Sequence, residues 1–213
     1  MESIAKVESV AGAGGDDVVV AVAENKKYLY ECPDNYEESD DSPTVFLAGG
    51  ITGCPDWQTD IKTRLLETCP GLFLFNPRRA TFDVNDENAF DIQVTWEHRH
   101  LKKARCILFW FPCETLCPIT LLEIGKWMVL APLENKHLIV GCHPKYTRRT
   151  DVQLQLNLQF GRHVQVHSSL DEIFREVRHV YDSDTNININ PLTPSYQHKQ
   201  QHWRVNSYGF IEE

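Results

Sequence analysis

Glu123 stands in an otherwise apolar run, Ile119-Thr120-Leu121-Leu122-Glu123-Ile124-Gly125. Pro118 suits the first turn of a helix, where a missing N–H is harmless, so this run predicts a helix from Pro118 to about Leu130 with Glu123 early in it. The N-terminal end of a helix favours a carboxylate charge, while partial burial opposes ionisation. A second carboxylate, Glu97, follows Trp96 on the preceding helical stretch, one face away from Val94 and Leu101. Two carboxylates converging on one crevice are the minimum equipment for glycosyl chemistry, one acting as nucleophile and the other orienting the substrate or exchanging protons. A solvated glutamate on a helix surface is the plain alternative for each of them.

Two loops add further candidates. Gly49-Gly50-Ile51-Thr52-Gly53 lets a backbone approach a ligand closely or simply turn tightly. It is neither a dinucleotide fingerprint, because Cys54-Pro55-Asp56-Trp57 opens the next helix, nor a phosphate loop, because no Gly-Lys-Ser/Thr ends it. In Asn76-Pro77-Arg78-Arg79, adjacent arginines can grip a phosphate or carboxylate, or serve as rim charges in salt bridges. Cys113-x3-Cys117 and Cys142-His143 do not reproduce the paired spacings of structural zinc sites and read as buried thiols, so no metal or redox cofactor is expected.

The elements that must position these residues follow from periodicity. Thr44–Ala48, Leu72–Phe75, Cys106–Phe111, His137–Gly141 and His163–His167 are short apolar strands. Helical stretches follow the first at Trp57, Ile61 and Leu65, and others cover about Ala89–Lys103 and the run from Pro118. Ser169-Leu170-Asp171-Glu172 is a capping box opening a last helix. Val152, Leu154, Leu156, Leu158 and Phe160 alternate as in a strand, although the repeat asks for a helix there; that segment stays open. Apolar strands separated by helices predict an α/β fold with a parallel sheet covered on both faces, and ligands bound beyond the carboxyl ends of its strands.

Composition limits the rest. With 213 residues, 42% hydrophobic and 24% charged, the chain reads as one soluble globular domain with tails. The apolar runs are too short to cross a bilayer. The net charge of −9 is concentrated at the ends: −8 in residues 1–42, +1 in 43–181 and −2 in 182–213. A near-neutral body and an acidic arm exclude a nucleic-acid footprint. The organisation expected is an acidic arm (1–42), a domain (43–181) and an Asn/Gln/His/Pro-rich tail (182–213). Val18–Val22 and Tyr28–Tyr30 are candidate packed segments without an assigned role, and Trp203, Tyr208 and Phe210 are tail aromatics that could dock on a neighbouring subunit. Seven cysteines, an odd and sparse set, and no secretory leader predict a reducing, cytoplasmic setting.

In order along the chain, Val45–Gly53, Asn76–Arg79, Trp96-Glu97, Leu101–Ala104, Ile107–Phe111 and Leu121–Gly125 resemble the nucleoside 2-deoxyribosyltransferase-like family over about residues 44–180. The resemblance implies a flavodoxin-like (Rossmann-like) five-stranded parallel sheet with helices on both faces, and an oligomer. It implies cleavage of an N-glycosidic bond with Glu123 forming a glycosyl ester and Glu97 orienting the nucleoside. The substrate would be a nucleoside or nucleotide held by Gly49, Gly50, Ile51, Thr52, Asn76, Arg78, Arg79, Trp96 and Cys117. Transferases of the family commonly place an aspartate six positions before the nucleophile; here Cys117 stands there, which keeps open an N-glycoside hydrolase acting on nucleosides or nucleotides, or a non-catalytic nucleotide-binding module. Ala104-Arg105 departs from the usual Ala-Asp before the third strand.

Overall fold

Side chains of the strands sort by the two-residue period. Val45, Leu47, Cys106, Leu108 and Trp110 enter one hydrophobic cluster, while Phe46, Ala48, Ile107, Phe109 and Phe111 enter another on the opposite face. A strand buried on both faces in this way belongs inside a parallel sheet covered by helices. The computed structural model describes residues 28–37, 42–80, 86–161 and 164–189 and shows that arrangement. Strands β1 (Leu29–Glu31), β2 (Thr44–Gly49), β3 (Phe73–Asn76), β4 (Cys106–Phe111), β5 (His137–Cys142) and β6 (Val166–His167) alternate with helices α1 (Trp57–Thr68), α2 (Ala89–Lys103), α3 (Pro118–Leu133), α4 (Arg149–Phe160) and α5 (Leu170–Ile189). The sheet order is β1-β3-β2-β4-β5-β6, parallel throughout. α1 and α5 supply one cluster, and α2, α3 and α4 supply the other.

Without β1 the order is that of the flavodoxin-like fold, and the chain reverses direction between β2 and β4. The loops after these two strands, Gly50–Asp56 and Pro112–Cys117, therefore border one crevice at the strand tips.

Four elements differ from the sequence expectation. A sixth strand, β1, pairs with β3 through Leu29↔Leu74 and Tyr30↔Phe75. It brings Tyr30 and Tyr36 edge-on to Phe75, so residues 28–37 of the expected arm pack on the domain. The segment left open, 152–160, is helix α4. Its alternation merges two rows four residues apart, with Val152 and Leu156 buried and Leu154 and Leu158 exposed. The last strand is only Val166–His167; His163 lies outside the described residues. Finally, α5 runs to Ile189, past the expected tail boundary at 182. It is opened by the expected capping box: the Glu172 N–H donates to Ser169 Oγ (3.2 Å), and the Glu172 carboxylate accepts from the Ser168 N–H (2.6 Å). Val18–Val22, Trp203, Tyr208 and Phe210 lie outside the described residues.

Candidate functional site

The glycine turn is pinned from below. A Cβ on Gly49 would run into the Trp110 carbonyl oxygen and the Trp57 indole. One on Gly50 would come within 2.7 Å of Pro112 Cγ and 2.9 Å of Cys117 Sγ. Those are closer than side chains approach, so only glycine lets the loop after β2 lie against the loop after β4. The Gly50 carbonyl accepts from Trp57 Nε1 (2.9 Å) and Gln58 Nε2 (3.3 Å), both on α1. Ile51 is half-buried, and Thr52 and Gly53 are exposed at the rim.

Arg78 crosses this turn. Its Nε donates to Gln58 Oε1 (2.9 Å), and its Nη2 donates to the carbonyls of Ile51 (3.0 Å) and Pro55 (3.3 Å). Its charge meets Asp56 at 3.2 Å. Asp56 also caps α1 through the Thr59 N–H (3.1 Å), and its carboxyl is held below the usual range, with the Thr59 bonds and Arg78 overcoming burial. Arg78 thus ties the loop after β2 to the loop after β3. Asn76, 1% exposed, donates to Glu31 Oε1 (2.8 Å) and accepts the Arg78 N–H (3.1 Å), which shapes the Asn76–Arg79 turn and anchors β1. Arg79 lies against the Cys32 thiol and near enough to Glu97 to favour that carboxylate.

Glu97 and Glu123 are half-buried, on neighbouring helices. One residue beyond Glu97 and three beyond Glu123, His98 Nδ1 and Lys126 Nζ meet at 3.5 Å, which brings this stretch of α2 beside α3. Burial raises the Glu97 carboxyl, opposed by a hydrogen bond from Gln93 Nε2 (2.7 Å) and by Arg79. Glu123 is pushed up to about 8, first by burial, then by the charge of Glu97, with Lys126 acting against them. The pair therefore retains a proton at neutral pH. Gln93, which also donates to the Pro77 carbonyl (2.8 Å), was not singled out from sequence; its spacing of four from Glu97 on one helix was the available signal.

Trp96, a candidate contact for substrate, is 3% exposed and stacked on His100, with ring centroids 4.0 Å apart. Its indole N–H donates to the Asp34 carbonyl (2.6 Å). Arg99, His100 and Lys103 continue this row along α2, holding Asn35 Oδ1, the Tyr36 N–H and the Tyr36 carbonyl. With its Nδ1 on the Trp96 carbonyl and its Nε2 accepting from Tyr36, His100 is the neutral Nδ1–H tautomer; burial depresses its pKa accordingly. Trp96, Arg99, His100 and Lys103 thus hold residues 34–36 against the helix that carries Glu97.

Cys117 is the N-cap of α3, in the left-handed region (φ 47°), without a side-chain cap. It is 5% exposed, and burial pushes its thiol up to about 12, so a neutral group occupies this place beneath Gly50. All seven cysteines are unpaired, five of them buried. Among the described residues, no three His, Cys, Asp or Glu side chains cluster as metal ligands would, and no helix is long and apolar enough to cross a membrane.

Residues 42–146 match the family model described as "Nucleoside 2-deoxyribosyltransferase like". The matched span runs from two residues before β2 to just past β5 and contains both carboxylates, both loops and Cys117. No curated protein matches the chain in sequence.

Proposed function

We propose that this chain, which belongs to the nucleoside 2-deoxyribosyltransferase-like family through residues 42–146, cleaves the N-glycosidic bond of nucleosides by a double displacement at Glu123. The observation that carries the reading is the half-buried, charge-coupled pair Glu97–Glu123 on adjacent helices. In the first half-reaction the C1′–N bond breaks with its electron pair passing to the base nitrogen, and a Glu123 carboxylate oxygen bonds to C1′. The proton held by the pair leaves on the base, so nucleoside and carboxylic acid become free base and glycosyl ester. A second base, or water, then attacks C1′, releases Glu123 and returns a proton to the pair. Splitting one difficult substitution into two easier ones is the advantage of the covalent route. Glu97 moves the proton and orients the nucleoside. Gly49–Thr52 form the floor, and Asn76, Arg78, Arg79 and Trp96 hold the walls in place.

The substrate proposed is the nucleoside rather than its phosphate, because the Arg78 guanidinium is already engaged by Gln58, Ile51, Pro55 and Asp56. Hydrolysis is the second reading, favoured by the neutral Cys117 thiol where transferases of the family carry a carboxylate. Seven unpaired thiols suit a reducing compartment. The test incubates the protein with 2′-deoxynucleosides and ribonucleosides, with and without a free second base. Base release that requires Glu123 is expected. Exchange into a new nucleoside selects the transferase, and release alone selects the hydrolase. No release above the Glu123→Ala background, on nucleosides or their 5′-phosphates, sinks both.

A further inference from the structure

Hydroxyls inside these helices have a standard partner. Thr63 and Thr68 on α1 donate to the carbonyls four residues before them, those of Thr59 at 2.8 Å and Arg64 at 2.6 Å. Thr120, in the first turn of α3, does not. The carbonyl four residues before it, that of Leu116, accepts from the buried Tyr146 phenol at 2.8 Å, and the Cys117 carbonyl accepts the Leu121 N–H at 2.9 Å. Among the described residues Thr120 Oγ1 makes no hydrogen bond, although Thr120 is only 4% exposed and shares the buried face of α3 with Ile124, Trp127 and Ala131. Nor is the oxygen sealed in. The unpaired side-chain atoms closed off from solvent include Gln93 Oε1 and Trp127 Nε1 but not Thr120 Oγ1, so this oxygen borders open space. A hydroxyl carried into the interior without a protein partner is costly, which calls for a partner from outside the fold.

The helix itself says what that open space is. Cys117, three residues before Thr120, lies beneath Gly50. Glu123, three residues after it, is its neighbour along the same side of the helix, at a Cβ separation of about 5–6 Å. The hydroxyl therefore sits between the floor of the crevice and the carboxylate. We propose that the Thr120 hydroxyl binds a ring hydroxyl of the substrate's sugar, on the face of the ring that Glu123 attacks. The inference rests on the reaction proposed above, and stereochemistry selects the sugar. In a natural nucleoside the base projects from one face of the furanose and the 2′- and 3′-hydroxyls from the other. A carboxylate that displaces the base in line approaches C1′ from the hydroxyl face, so a group one helical turn from Glu123 meets the substituents of C2′ and C3′ rather than the base. Threonine suits the contact because its hydroxyl both donates and accepts.

Calorimetric titration of nucleosides into the full chain carrying Glu123→Ala, alone and with Thr120→Val or Thr120→Ser added, tests the contact whether or not the chain turns its substrate over. Thr120→Val is expected to weaken ribonucleoside binding roughly tenfold, and Thr120→Ser to restore most of it. The loss should vanish with 2′,3′-dideoxynucleosides and persist with 5′-deoxynucleosides, while the 2′-deoxy and 3′-deoxy compounds identify which hydroxyl is held. Without ligand, Thr120→Val should unfold at no lower a temperature than its parent, because no bond within the protein is removed; a hydroxyl that served the fold would lower it. The proposal is overturned by undiminished affinity in Thr120→Val, by a loss equally large for dideoxynucleosides, or by one cancelled on removing the 5′-hydroxyl. A Thr120→Ser chain as impaired as Thr120→Val, or no nucleoside binding in any form, overturns it too. A chain that shows the expected coupling but never releases base keeps the Thr120 contact and loses the reaction at Glu123.

Discussion

Glu97 on α2 raises the proton affinity of Glu123 on α3 across the boundary between the two helices. The effect is asymmetric in its support. Gln93 and Arg79 favour the charge on Glu97, whereas among the described residues only Lys126 does so for Glu123, so the proton retained by the pair resides mainly on Glu123. A protonated carboxyl charge-coupled to a second carboxylate is the arrangement that a nucleophile with a proton-exchanging partner needs.

The rate of base release should therefore depend on that single proton. kcat/KM is expected to fall as pH rises through about 8, where the pair loses the proton that the departing base must take. Glu97→Gln removes the charge that adds to burial in holding the proton on Glu123, so this limb should move to lower pH while kcat drops by about 10²–10⁴-fold. A rate that climbs through pH 8 and stays high would show that the free carboxylate suffices.

Stability should run the other way for Glu123→Gln. The carboxyl has its ordinary value of 4.5 when unfolded and about 8 when folded, so the native state binds the proton more tightly. The stability this contributes is complete below about pH 4.5 and is lost as pH rises through 8. Glu123→Gln should thus unfold at a higher temperature than wild type, by a margin that widens from pH 5 to pH 8 and then levels off, at most on the order of a few kcal/mol. Thermal unfolding across that range measures it, and an equal margin at pH 5 and pH 8.5 contradicts it.

Arg78→Ala should loosen the glycine turn. It removes donors from the Ile51 and Pro55 carbonyls and from Gln58, costing about 1–3 kcal/mol of stability. With the floor of the site displaced, KM should rise more than kcat falls. Arg78→Lys should restore little, since a point charge cannot reach three acceptors at once. If Arg78→Ala left stability and nucleoside KM unchanged, the bracing role would be excluded.

Trp96→Phe keeps the ring but removes the N–H bonded to the Asp34 carbonyl. A loss of about 1 kcal/mol is expected, with faster hydrogen exchange confined to residues 28–37. Were Trp96 instead a wall against the base, kcat/KM would fall steeply with exchange at 28–37 unaltered.

Much of this molecule is written in local periodicity. The two-residue alternation of Val45–Ala48 and Cys106–Phe111 determined a doubly covered parallel sheet, and Pro118 followed by an apolar run determined a helix with Glu123 in its second turn, because both patterns need only neighbours along the chain. Local pattern failed where two geometries share it: Val152–Phe160 reads as alternating, yet the core beneath selected the 152/156 row of a helix. It was silent where partners are distant in sequence. That Arg78 braces Ile51, that Trp96 holds Asp34 and that Glu97 adds to the proton affinity of Glu123 depends on separations of 26 to 62 residues. Only the packing of α2 and α3 on the sheet closes those separations, since charge and hydrogen bonding act through space and not along the chain.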